Sequence, residues 1–86
     1  MQNDSNGSVG IYSLQSGAYS VRENAEFQKT NLIIAGFSAR VIELHRNNRV
    51  LYAVRIGYYN SKNGAKIIGS QIKTKLDIAT IVVTNN

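Results

Sequence analysis

The side chains able to do chemistry are few, and their spacing keeps them apart. His45 is the only histidine, Glu43 is the one acid beside it, and Asp4, Glu23, Glu26 and Asp77 are scattered along the chain. General acid–base work needs titratable groups gathered at one place, and no spacing here gathers them. The absence of cysteine removes disulfides, thiolate chemistry and the usual zinc ligand sets. Neither a nucleophile elbow nor a phosphate loop nor a metal-ligand spacing is written. His45 therefore reads as polar surface in a turn, and no enzyme activity, cofactor or metal is expected. Recognition chemistry remains: an amide at Gln15, a guanidinium at Arg55, and a net charge of +5.

That charge is unevenly placed. Up to Glu43, Arg22, Lys29 and Arg40 face Asp4, Glu23, Glu26 and Glu43; beyond it Arg46, Arg49, Arg55 and four lysines face Asp77 alone. A basic half suits a polyanion such as nucleic acid, acidic glycan or anionic lipid, or simply a solvated face. At 86 residues the chain makes one domain with a modest core. No apolar run approaches a spanning helix or a signal peptide, so a membrane anchor is expected only elsewhere in a longer parent protein.

The elements that position these side chains come in two copies. "YSLQSGAYSVRENAEF" begins at Tyr12 and "YAVRIGYYNSKNGAKI" at Tyr52, and a spacing of 40 aligns Gly17 with Gly57, Tyr19 with Tyr59 and Ala25 with Ala65. Residues 1–9 are polar and aperiodic and read as a disordered linker; the domain spans 10–86. Alternation predicts a strand over Ile11–Ser16 with Tyr12 and Leu14 on one face and Ser13 and Gln15 on the other. Ser20 and Glu23 form a capping-box pattern for a helix whose inner face is Ala25, Gln28, Leu32 and Ala35, ended by Gly36. Strands over Ser38–Leu44 and Val50–Ile56 flank the tight turn "HRNNR". Asn60 is the expected cap of a second helix with Ala65, Ile68 and Ile72 inward, and Ala79–Thr84 is the last strand.

Strand, helix, strand, repeated once, predicts an α+β ferredoxin-like βαββαβ fold: a four-stranded antiparallel sheet with both helices on one face. Each half cannot bury its own apolar face, so the two intercalate about a pseudo-twofold axis with the first and third strands central. Gly17 and Gly57 are then expected where the chain leaves a strand for a helix cap, with Tyr19 and Tyr59 laid over the helix starts. Gln28 is expected at the sheet edge, within reach of water. The uncovered face should carry Ser13 and Gln15, Leu51, Ala53 and Arg55, Arg40, Ile42 and Leu44, and Thr80 and Val82, a mixture suited to a binding platform. RNA recognition motifs share this topology but need outward aromatic rings on the third strand. "VLYAVRIG" offers Leu51, Ala53 and Arg55 there, so nucleic acid is not the expected partner.

"LQSGAYSVRENAEFQKTNLIIAGFSARVIEL" followed by "LYAVRIGYYNSKNGAKIIGSQI" resembles the SPOR domain, the sporulation-related repeat of bacterial cell-envelope proteins, over residues 11 to 84. Gln15, Gly17 and Tyr19 stand in its V-Q-x-G-x-F pattern, Ala25, Leu32, Gly36 and Phe37 in the first helix and its end, and "YAVRIGYY" in Y-R-V-x-V-G-P-F. The resemblance implies a non-catalytic module, a monomer, whose open face binds peptidoglycan glycan strands stripped of peptide stems and so targets a parent protein to the division septum or cell wall. Gln15 then occupies the position of the sheet-face glutamine. Ala18 replaces a small polar residue, Ala53 an arginine and Leu51 an aromatic, while Arg55 supplies a guanidinium on the same face. Ser13 and Arg40 complete the expected glycan-binding set. The alternative is a degenerate copy that serves as a protein-interaction module in the envelope, motivated by those alanines and by the apolar group Ile42, Leu44 and Val82.

Overall fold

A computed structural model of the chain describes residues 10–85; the expected linker over 1–9 lies outside them. The elements are β1 (Tyr12–Tyr19), α1 (Arg22–Ile34), β2 (Ala39–Arg46), β3 (Arg49–Tyr59), α2 (Lys62–Leu76) and β4 (Ile81–Thr84). All strand pairs are antiparallel and the sheet order is β2-β3-β1-β4. One cluster joins Leu14, Val54 and Ile56 of the central strands to Ala25 and Leu32 of α1 and to Ala65 and Ile72 of α2, so both helices cover the same face. The expected ferredoxin-like arrangement is the observed one.

The helix ends follow local chemistry. The sequence Ile34–Ala35–Gly36–Phe37 closes α1 in a Schellman turn: Gly36 N–H donates to Ile33 O at 2.9 Å, Phe37 N–H to Leu32 O at 2.9 Å, and Gly36 takes φ +99. The capping box at its start does not form. Because β1 continues to Tyr19, Ser20 is displaced from the capping position, which Val21 fills without a side-chain bond. On α2 the cap is Ser61 rather than Asn60, its hydroxyl accepting from Gly64 N at 3.0 Å. Asn47 and Asn48, at φ 50 and 63, make the tight two-residue hairpin that their left-handed tolerance allows.

The repeated glycines mark bulges inside the central strands. Between Gln15↔Arg55 and Gly17↔Val54 one extra residue enters β1, and between Leu14↔Ile56 and Tyr12↔Tyr59 one extra residue enters β3. Both strands therefore run on past their glycines. Tyr19 and Tyr59 turn back over Gly17 and Gly57, not over the helix starts: a Cβ on Gly17 would lie 3.0 Å from the Tyr19 ring, and one on Gly57 would overlap the Tyr59 hydroxyl. Gln28 proves half-buried, its Oε1 accepting from the Ser16 hydroxyl at 2.6 Å. Helix α1 thus holds the β1 bulge in place.

One expected face is reversed. The register is Leu14↔Val82 and Gln15↔Ile81, and cross-strand partners share a face, so Val82 packs into the core while Ile81 and Val83 look outward. Thr80 lies under α2, where a side chain on Gly69 would approach its Oγ1 to 2.8 Å. Strand β4 begins two residues later than the alternation suggests, and its register is set by Leu14 rather than by its own pattern. A one-residue difference reverses every side chain of a strand.

Candidate functional site

The face without helices is centred on Gln15 and Arg55. They are direct cross-strand partners on β1 and β3, and Arg55 Nε–H donates to Gln15 Oε1 at 2.7 Å. Shifting either residue number by the repeat length of 40 exchanges the two, so the pair stands on the pseudo-twofold axis. Arg55 is 9 % exposed. Burial, and after it the like charges of Arg40 and Arg46, disfavours its cation and lowers its pKa. Among the described residues no carboxylate lies within ion-pair distance of Arg55, Arg40 or Arg46. The sheet centre therefore holds a guanidinium that is short of a counter-charge, with terminal N–H groups and the Gln15 amide N–H₂ still available as donors.

Around the pair runs a shallow groove of about 540 Å³, lined by Ala18, Leu44, Arg46, Leu51, Ile81 and Val83 together with Gln15 and Arg55. Its floor is apolar, its central donors are Gln15 and Arg55, and Arg46 and Lys62 add two further cations to its lining. Such a surface suits a flat, partly apolar ligand rich in acceptors.

Of the residues singled out in the sequence, Gln15, Arg55, Ala18 and Leu51 come together in this groove. Ala53, between Ala18 and Ile42 in the ladder, has no accessible surface. Ser13 and Arg40 are employed elsewhere. The buried Ser13 hydroxyl donates to Gly57 O at 2.5 Å and accepts from the Arg40 guanidinium at 2.9 Å. Arg40 also donates to Gly57 O at 3.1 Å and lies 4.0 Å over the Tyr58 ring. With Asn85, whose Oδ1 is 3.4 Å from the same guanidinium, they clasp the β3 bulge to the ends of β1 and β4.

Arg46, Ile81 and Val83 were not expected in the site. Arg46 continues the Arg40–Ile42–Leu44 alternation and was open to the same reasoning, had β2 been carried two residues further; the two β4 residues depend on register and left no such signal. His45 is exposed and pairs with Glu43 at 3.3 Å, away from the groove. The described residues contain no group of acids and histidines that could hold a metal ion and no helix long and apolar enough to cross a membrane.

Two solved structures resemble this arrangement over nearly their whole length. The crystal structure of the RlpA SPOR domain from Pseudomonas aeruginosa is 25% identical, with a TM-score of 0.73, covering 88% of this chain and 100% of that one. The solution structure of the peptidoglycan binding domain of the B. subtilis cell wall lytic enzyme CwlC is 30% identical, with a TM-score of 0.69, covering 95% and 98%. No curated protein sequence gives a significant match. The SPOR domain family model matches residues 8–84, and the chain belongs to the SPOR domain family.

Proposed function

We propose that the open face binds peptidoglycan glycan strands from which the peptide stems have been removed, and that the domain is a non-catalytic module placing a parent protein at the cell wall or division septum. Family membership and the peptidoglycan binding named for the CwlC neighbour support the ligand class. The observation that carries the finer reading is Arg55, nearly buried, beside Gln15 and two like charges and without a carboxylate partner. Hydrolysis of the amide between a muramic acid lactyl group and its stem frees a carboxylate on the sugar. That group supplies the missing counter-charge in charge-assisted hydrogen bonds, while hydroxyl and acetamido oxygens accept from Gln15 and sugar carbons rest on Leu44 and Leu51. A stem still attached removes the carboxylate and obstructs a flat face. Selectivity then follows from both attraction and exclusion.

The test is a pull-down on purified sacculi with and without amidase digestion. The expected result is retention on digested sacculi and little on intact ones. Equal retention on both would leave a wall-binding module without stem discrimination and overturn the carboxylate account; retention on neither overturns the reading altogether.

A further inference from the structure

The two halves related by the pseudo-twofold differ at the sheet edges. Strand β2, which follows α1, pairs with β3 along Ala39–Arg46, whereas its counterpart β4, which follows α2, comprises only Ile81–Thr84. Between this short strand and α2 lies a groove of about 860 Å³ with Thr80, Ile81 and Val82 on its floor. The helix wall carries Lys62, Lys66 and Lys73, which share a side because their spacing follows the helical turn. Lys73 is held by Asp77, Nζ to Oδ1 2.7 Å. Among the described residues Lys62 and Lys66 have no acidic partner, and Asp77 is the only acid after Glu43.

The floor has a second property. β4 ends the sheet, so among the described residues one of its sides has no strand beside it. Asn85 N–H donates to Ile11 O at 2.8 Å, and the register continues as Ser13↔Val83 and Gln15↔Ile81. In an antiparallel ladder bonded and non-bonded pairs alternate, so Ile81, Val83 and Asn85 bond inward while the amides and carbonyls of Val82 and Thr84 point to the free edge. Unpaired strand edges of this kind are templates for a further strand.

We propose that this edge and its lysine wall form a docking site for an extended acidic polypeptide segment, which adds to the sheet as a fifth strand beside β4. Its backbone pairs with Val82 and Thr84, its carboxylates meet Lys62 and Lys66, and its alternate side chains rest on Ile81 and Thr80. A polypeptide fits because donors and acceptors repeat along the edge with the strand period of about 7 Å for two residues. It is acidic because the wall presents cations with only one carboxylate among them. The site adjoins the Gln15–Arg55 groove, with which it shares Lys62, Ile81 and Val82, but it uses the free backbone edge of β4 rather than the Gln15–Arg55 pair.

A fluorescent ten-residue peptide of alternating Val and Glu serves as probe, titrated by anisotropy against the wild-type domain and a Lys62→Glu, Lys66→Glu variant. Saturable binding is expected, weakened tenfold or more by the substitutions. The same peptide N-methylated at every amide, which leaves no N–H donor on either edge, should also lose tenfold or more while keeping its charge. Amide NMR shifts on adding the unmodified peptide should centre on Val82, Thr84 and Gly69. Failure of the peptide to bind, equal binding of the N-methylated form, or shifts centred on Gln15 and Arg55 would each overturn the proposal. So would peptide-free glycan fragments shifting the Val82 and Thr84 amides in place of the peptide.

Discussion

Gln15 and Arg55 are one another's equivalents in the repeat and also one another's hydrogen-bond partners, Oε1 to Nε 2.7 Å. A duplicated unit that intercalates about a twofold must bring one pair of equivalent positions face to face at the axis. At that point the chain needs two different side chains, an acceptor and a donor, since two arginines would repel and two amides would lack charge. Departure from the repeat at this position is therefore what gives the sheet centre its polarity.

Their coupling is measurable in stability. Gln15→Ala leaves the nearly buried Arg55 Nε–H without its acceptor and should cost about 1–3 kcal/mol. Arg55→Ala removes a cation that burial and neighbouring charges already disfavour, and should change the urea midpoint little. The double variant should regain most of what Gln15→Ala loses, giving a coupling energy of about 1 kcal/mol or more. Additive losses would show that the pair is not energetically joined.

Binding separates groove residues from clasp residues. Arg55→Ala should weaken retention on amidase-treated sacculi fivefold or more, about 1 kcal/mol, at near wild-type stability. Arg40→Ala should do the opposite, lowering stability by about 1–3 kcal/mol because it strips partners from the buried Ser13 hydroxyl and Gly57 carbonyl, while affinity of the folded fraction holds. Retention should also fall as salt rises, and as pH drops below about 4, where a sugar carboxylate becomes protonated. An Arg55→Ala domain that binds as tightly as wild type removes the groove from the mechanism.

The fold was legible because its signals are local and duplicated: alternation in the strands, Gly36 after an apolar helix face, paired asparagines in the hairpin. Gln15 and Arg55 were legible for the same reason, since parity on two central strands fixes their face. Ser13 and Arg40 obey the same parity, yet they are turned to a structural clasp by Asn85 at the far end of the chain and by the Gly57 carbonyl that the bulge exposes. Parity gives a face and cannot count the partners waiting on it. Val82 fails for a related reason: with four residues and apolar side chains at three of them, β4 carries too little pattern to set its own register.

Acid should loosen the helix-borne ion pairs first. Asp77 is held below the ordinary carboxylate range by a hydrogen bond from Lys73, and Glu26 by one from Lys29. A carboxylate whose folded pKa is depressed contributes stability above its unfolded pKa and loses it as pH falls through the folded one. Thermal stability at low ionic strength should therefore decline from about pH 4 downward. Asp77→Asn with Glu26→Gln should flatten that decline, and molar salt should reduce the difference because both groups are exposed. An acid slope unchanged in the double variant would place the responsible carboxylates elsewhere.

The two bulge glycines should prove unequal despite their symmetry. Gly57 has φ +69, a conformation that costs a residue with a Cβ about 1–2 kcal/mol, and the added carbon would overlap the Tyr59 hydroxyl. Tyr59 has little freedom to move, since it packs against the core and burial raises the pKa of its phenol. Gly17 lies outside the positive-φ region, and a Cβ there meets the Tyr19 ring at 3.0 Å, a contact that a small ring rotation relieves. Gly57→Ala should therefore destabilise by about 2 kcal/mol or more and Gly17→Ala by about 1 kcal/mol or less. Because the Gly57 carbonyl anchors both Ser13 and Arg40, the damage should spread along the clasp, and amide exchange at Ser13 and Asn85 should quicken in Gly57→Ala but not in Gly17→Ala. Equal losses in the two variants would mean that the repeat's symmetry, and not the local backbone of each bulge, governs how these strands tolerate a side chain.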